Sequence, residues 1–181
     1  LREGEEKRKI VFSGDIGHGN KPLIKNPEYI NSADYVLIES TYGDRVHNAP
    51  PDFAKALAQT IRSTLSRGGN LVIPAFSVGR TQELLYFIRR IKEEKMLPDM
   101  QDFPVYVDSP LSVEATQIFR ENVDDCYDDE ALSIVRSGGN PIGFDGLKVS
   151  VTADESKMIN VDNTPKVIIS ASGMCEAGRI R

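Results

Sequence analysis

Apolar positions along the chain fall into short clusters separated by polar stretches rich in glycine and proline, and the spacing within each cluster predicts its element. Residues 9–12 (KIVF) and 34–39 (DYVLIE) are compact runs with β-branched residues and read as strands. Between them, the loop SGDIGHGNKP leads into an expected short helical stretch over residues 26–32. Over residues 52–67 Phe53, Leu57, Ile61 and Leu65 recur every four positions, one face of a helix that starts after two prolines and ends at Gly68-Gly69. Residues 70–75 (NLVIPA) form a largely apolar run, the pattern of a buried strand. Residues 81–96 predict a helix with Leu84, Leu85, Phe87, Ile88 and Ile91 inward. Arg89, Arg90, Lys92, Glu93, Glu94 and Lys95 lie on what reads as a solvated face. A strand at 104–108 (PVYVD) and a helix at 111–122 follow, then an acidic, glycine-rich segment at 123–146 read as a short helix and a surface excursion. Residues 147–152 alternate like a strand, and 166–171 predict a last buried strand.

Strands alternating with helices predict parallel βαβ units, hence an α/β fold with a Rossmann-like, doubly wound sheet. Ligands of such sheets gather at the carboxyl ends of the strands. The chemically unusual residues all follow predicted strands: Asp15, Glu39, residues 76–80, Asp108-Ser109 and Ser172-Gly173. One shared rim is therefore expected.

Composition narrows the class. With 181 residues, 40% apolar and 27% charged, the chain can bury a core without staples and is neither disordered nor a coiled coil. No apolar run has the length of a membrane span, so no membrane partner is expected. The formal net charge of −5 argues against a broadly basic nucleic-acid binder and leaves room for a local basic patch. Six of the acids fall in residues 121–130, away from the predicted rim. Cys126 and Cys175, with His18 and His47, are too few for a zinc ribbon or finger, and no CxxC occurs. Such sparse cysteine usage fits a reducing compartment, and the cytoplasm is the expected location. The first residues, LREGEEKRKI, show neither an initiator methionine nor a signal-peptide core, and the last, GMCEAGRIR, read as a helix just starting. These open ends read as those of a fragment.

Each rim segment has a structural and a functional reading. In AFSVGR (75–80), Gly79 and Arg80 stand at a helix entrance, where backbone N–H groups and a bidentate guanidinium suit an anion; an exposed arginine at a helix start is the plain alternative. DSPLS (108–112) repeats the arrangement, with Ser109 or Ser112 as an N-cap candidate, and SASGM (170–174) repeats it again. Together these three loops suggest a phosphate-binding surface, although neither GxxxxGK[ST] nor GxGxxG is present. Asp15 on a glycine-rich turn suits either a metal ligand or a turn-forming carboxylate. Glu39, closing an apolar strand, needs a partner and suits either a structural ion pair or a catalytic orienter.

At ESTYGDRVH (39–47), with SGD (13–15), IPAFSVGRTQELL (73–85), VYVDSPLS (105–112) and IISASGMCEAGRI (168–180), the chain resembles the β-CASP branch of the metallo-β-lactamase-fold RNA nucleases. That branch includes the endonuclease subunit of the polyadenylation cleavage complex and its bacterial and archaeal RNase relatives. The resemblance implies a zinc-dependent ribonuclease hydrolysing RNA phosphodiester bonds, as an endonuclease, a 5′-exonuclease or both, with two zinc ions and a bridging hydroxide as nucleophile. It matches Asp15 to the metal-bridging aspartate and Glu39 to the acid that orients a histidine near the leaving group. It places Ser77, Arg80, Ser109, Ser112, Ser172, Gly173 and Met174 in loops lining the RNA path. Residues 1–48 then correspond to the C-terminal part of the metallo-β-lactamase-like αββα domain and 49–181 to the β-CASP domain, truncated before the downstream histidine motifs. The family's HxHxDH motif is missing from this sequence, and His18 and His47 match none of its metal histidines. The expectation is therefore a parent that takes two zinc ions, binds RNA and is a candidate homodimer, and a fragment that holds no zinc and is inactive alone. A non-catalytic RNA-binding or scaffold relative of the same fold is the alternative, and an unrelated α/β ligand-binding domain a more distant one.

Overall fold

The computed structural model describes residues 2–3, 6–17, 19–75, 78–172, 175 and 178–180; for Arg2, Glu3 and Glu6 only the backbone is described. The chain divides into two compact units, Leu1–Lys21 with Lys25–Pro50, and Pro22–Ile24 with Pro51–Arg181.

In the first unit, β1 (Arg2–Glu3) and β2 (Glu6–Lys7) pair antiparallel. Two further strands, β3 (Ile10–Phe12) and β4 (Tyr35–Leu37), pair in parallel, Ile10 opposite Tyr35 and Phe12 opposite Leu37. The Asp34 carboxylate accepts the Lys9 N–H at 2.7 Å and fixes that register at its start. The helix expected at 26–32 is absent. Its first residue is spent otherwise: the Asn26 side chain accepts the Asn20 N–H at 2.5 Å and donates to Asn20 Oδ1 at 3.2 Å, and Pro27 follows. Asn26 thus closes a loop instead of capping a helix.

The second unit runs α1 (Phe53–Leu65), β5 (Leu71–Ala75), α2 (Arg80–Glu93), β6 (Val105–Asp108), α3 (Pro110–Glu121), α4 (Val123–Cys126), α5 (Asp129–Arg136), β7 (Leu147–Ser150), α6 (Ala153–Val161) and β8 (Val167–Ala171). Its four strands form one parallel sheet in the order β5-β8-β6-β7, so the last strand inserts between the first two. The predicted α/β class and the main helices and strands of this unit are present. The single rim is not: β3 and β4 pair with each other, so Asp15 and Glu39 stand on a different sheet from the remaining candidates.

Caps explain the boundaries. Asp52 accepts the Lys55 N–H at 3.1 Å to start α1, and Gly68, at φ +77°, turns the chain out after it. The α1 face predicted by the four-residue spacing is buried at Ile61 and Leu65, which join Leu85, Ile88 and Ile91 of α2 and Val105, Val107, Val167 and Ile169 of the sheet in one core.

Two expectations about surface are corrected. Arg89 is buried, because its Nε donates to the Pro141 carbonyl at 3.1 Å, its guanidinium pairs with Glu93, and it stacks on Tyr86. Lys92 is half-buried, with Nζ donating to the carbonyls of Gln101 and Phe103 at 3.0 Å, and burial lowers its pKa. Segment 123–146 is an anchored part of the unit, with two helices and buried Tyr127, Ala131 and Ile142. The Tyr86 hydroxyl donates to Glu130 at 2.5 Å, and burial together with that carboxylate raises the phenol's pKa.

A further element was unforeseen. α6 begins with Thr152, whose hydroxyl accepts the Glu155 N–H at 3.2 Å while the Glu155 carboxylate accepts the N–H groups of Val151 and Thr152. It ends on buried Lys166, whose ammonium donates to the Ile159 and Asp162 carbonyls. Leu23 joins this unit's core at 1% exposure, its carbonyl accepting the Asp128 N–H at 3.1 Å. It does so at φ +80°, a conformation costly for a branched side chain and retained where surrounding contacts over-determine it. Residues 178–180 form a bend and turn rather than the start of a helix.

Candidate functional site

In the first unit, the parallel ends of β3 and β4 bring together two residues 24 positions apart in the chain, Asp15 and Glu39. Ser13 N–H donates to the Leu37 carbonyl at 2.9 Å, extending the pairing by one residue, and Glu39 N–H donates to Ser13 Oγ at 2.9 Å. The Glu39 carboxylate then spans the gap. One oxygen accepts the N–H of Ile16, next to Asp15, at 3.3 Å, and the other accepts the N–H of Thr41 at 2.9 Å. The Thr41 backbone and hydroxyl, followed by the Ile16 N–H, hold this carboxyl below the usual glutamate pKa and keep it ionised. The partners Glu39 needed are therefore the backbone N–H groups of Ile16 and Thr41 together with the Thr41 hydroxyl.

In the second unit, the loops after β5, β8 and β6 follow one another along the carboxyl edge of the sheet. Val78 and Gly79 precede α2, and Gly79, at φ +81°, occupies the N-cap position without a side chain to cap it. Gln82 reaches back instead, its Oε1 accepting the Gly79 N–H at 2.9 Å. Arg80 opens α2 with its side chain 60% exposed and paired to Glu83 at 3.3 Å. Because an exposed pair of this kind contributes about 0–1 kcal/mol, an incoming phosphate can displace it. Ser109 is the N-cap of α3, its hydroxyl accepting the Ser112 N–H at 3.1 Å. Both serines are buried, and Ser112 Oγ lies 3.3 Å from Thr81 Oγ. Gln82 Nε2 donates to the Ser112 carbonyl at 3.3 Å and to Thr116 Oγ1 at 3.0 Å. A buried polar strip thus couples the start of α2, where Arg80 sits, to the start of α3. Ser172 follows β8 and accepts the Cys175 N–H at 2.8 Å. The remaining sequence candidates, Ser77, Gly173 and Met174, as well as His18, lie outside the described residues.

Sequence reasoning missed the most connected residue of this edge. Arg179 donates from one nitrogen to Asp108 Oδ1 at 3.0 Å and to the Ser150 carbonyl at 3.1 Å, and from the other to the Val151 carbonyl at 2.6 Å. Ser156 Oγ donates to the second Asp108 oxygen at 2.7 Å. No local pattern announces a pair separated by 71 residues. The surviving clue was the carboxylate closing an apolar strand at Asp108, the same signal that marked Glu39.

Comparison with known proteins assigns this architecture. A profile of the Beta-Casp domain matches residues 81–181, more than half of the chain. The chain belongs to the Beta-Casp family. Among similar proteins, Ribonuclease TTHA0252 of Thermus thermophilus is 34% identical over 175 residues, 97% of this chain and 39% of the relative. An RNase J-like protein of Methanocaldococcus jannaschii is 32% identical over 177 residues, 96% of this chain and 39% of the relative. Endoribonuclease YSH1 of Yarrowia lipolytica is 27% identical over 171 residues, 94% of this chain and 20% of the relative. The chain thus spans two fifths or less of these relatives' lengths.

The similarity to ribonucleases raises the question of a metal centre. Asp15 offers one carboxylate, and among the described residues no three His, Cys, Asp or Glu side chains gather where they could share an ion. The Glu39 oxygens are both engaged by backbone N–H groups, which suits an orienting acid better than a ligand. These residues alone do not make a two-metal centre. Among the described residues no helix is long and apolar enough to cross a membrane.

Proposed function

We propose that this Beta-Casp chain is part of a longer metal-dependent hydrolase that cleaves RNA phosphodiester bonds, forming its substrate-binding cap and one edge of its active site. The observation that carries the reading is the joining of Asp15 and Glu39 at adjacent strand ends, with Glu39 held ionised by its backbone donors, in a chain whose relatives are named as ribonucleases. Asp15 is the bridging metal ligand in this reading, zinc the metal, and the other ligands come from the rest of the parent. Ionised Glu39 acts as acceptor for a histidine supplied by the parent, which fixes that histidine's tautomer and orientation. Arg80 offers a displaceable guanidinium to the RNA backbone, and Ser77, Ser172, Gly173 and Met174 line the same path. Ser109 and Ser112, with their hydroxyls engaged inside the protein, hold the start of α3 rather than contact RNA. Residues 1–48 form the trailing part of a metallo-β-lactamase-like domain, and the exposed apolar strand residues Phe12, Val36 and Leu37, with Ile38 just after them, are the surface its remainder would cover.

The test uses the full-length parent and 5′-labelled RNA. Asp15→Asn and Glu39→Gln should each lower the cleavage rate by about two orders of magnitude, the scale of lost acid–base or charge-stabilising groups. Discrete internal products mark an endonuclease and a mononucleotide ladder a 5′-exonuclease. A parent that binds RNA without cutting it would replace this reading with the scaffold one, and unchanged rates in both variants would remove these residues from the chemistry.

A further inference from the structure

The carboxyl edge of the four-stranded sheet carries a row of polar residues that stability alone does not explain. Asp108 of β6 stands in register with Ser150 of β7 on one side and Ser170 of β8 on the other. All three are at most 3% exposed. The hydroxyls of Ser150 and Ser170 have no hydrogen-bond partner among the described residues. A buried ion pair is often no better for stability than an apolar replacement. Such a row is therefore better explained by what it positions than by what it stabilises.

What it holds is the chain after β8. Gly178, at φ +89°, passes so close to the end of that strand that a Cβ there would lie 3.1 Å from the Ala171 carbonyl oxygen. The next residue, Arg179, then spreads its three hydrogen bonds over Asp108, Ser150 and Val151. The chain thus leaves the edge at Ala171 and returns to it at Gly178, with the return locked across β6 and β7. Ser172 and Cys175, which fall between these two points in the sequence, are joined by their own hydrogen bond.

We propose that Arg179 and Asp108 act together as a clamp whose purpose is to present Ser172 and Cys175 to RNA, making Arg179 a positioning residue rather than an RNA ligand. This rests on the functional reading above. The guanidinium is only 25% exposed and all three of its contacts are internal. Lysine keeps the charge but cannot make the forked set of contacts.

Cys175 is exposed and bonded to Ser172, and Cys126 is exposed elsewhere, so the chain carries a reporter and a reference. The experiment measures peptide-resolved alkylation of both thiols in the full-length parent, with and without a saturating single-stranded RNA, alongside cleavage. In the wild type, RNA should slow alkylation of Cys175 relative to Cys126. In Arg179→Lys, Cys175 should react faster, RNA should protect it less, and cleavage should fall about tenfold or more, as expected when a contact is misplaced by a fraction of an ångström to an ångström. Asp108→Asn, which keeps the shape of the acceptor, should shift the same readouts in the same direction. If Cys126 and Cys175 accelerate together in both variants, the pair is merely structural and the proposal fails. Wild-type binding with unchanged Cys175 protection and cleavage in Arg179→Lys overturns the clamp alone. A wild-type parent that neither binds nor cleaves RNA overturns the functional reading and the proposal with it.

Discussion

Ser109→Ala separates a buried cap from a ligand. The hydroxyl removed is 2% exposed and accepts the Ser112 N–H at 3.1 Å, across the first turn of α3. Loss of an N-cap oxygen costs about 0.5–2 kcal/mol, and a buried N–H left without a partner about 1–3 kcal/mol. These describe one broken bond and are not added. With Ser112 itself buried, the upper part of the cap range applies, about 1.5–2 kcal/mol. At about 2–4 °C per kcal/mol for a chain of this size, the thermal midpoint should drop by about 3–8 °C. The assay is thermal and urea unfolding of the chain followed by circular dichroism, with Ser109→Thr, which retains the oxygen, recovering most of the loss. RNA affinity of the parent, measured well below its midpoint, should be unchanged. A change within about 0.5 kcal/mol of wild type, the range of ordinary surface substitutions, together with weakened RNA binding, would refute the reasoning and make Ser109 a direct contact.

Arg80→Ala should behave in the opposite way: stability within about 0.5 kcal/mol of wild type, because its ion pair with Glu83 is exposed, but weaker RNA binding by the parent with a shallower salt dependence, read by filter binding at several ionic strengths. Leu23→Ala should destabilise the chain by about 2–5 kcal/mol, the range for a fully buried leucine, measured as a lower urea midpoint. Glu39 gives a pH signature with a defined sign. Its folded pKa lies below the ordinary 4.5, so its contribution is complete above that value and is lost as pH falls through the lower folded one. The midpoints of wild type and Glu39→Gln should therefore differ at neutral pH and converge in acid.

The readable elements were those in which local spacing and global burial agree. The α1 stripe of Phe53, Leu57, Ile61 and Leu65 predicts a helix that exists, and its buried members lie where that face meets the sheet. α6 has no such stripe, since Ile159 alone is buried while Met158 and Val161 face solvent; its signal was the Thr152 and Glu155 capping box. Arg89 was misread because charge is a poor guide to exposure when a carbonyl, a carboxylate and an aromatic ring converge on one guanidinium. At the candidate site, Asp15 and Glu39 were recognisable as carboxylates placed after apolar strands, whereas the backbone N–H groups of Ile16 and Thr41 that help lock Glu39 carry no sequence signature. Arg179 and Asp108 meet only because β8 inserts beside β6, a crossover that periodicity cannot reveal.

The most direct measurement compares the chain with its full-length parent. Both are dialysed, analysed for zinc, and incubated with the same 5′-labelled RNA. The expected result is bound zinc and cleavage in the parent, and neither in the 181-residue chain, where Asp15 lacks companion ligands among the described residues. Zinc held by the chain alone with cleavage of RNA, or a metal-loaded parent that leaves RNA intact, would contradict the assignment of this chain as the cap and one edge of a ribonuclease active site.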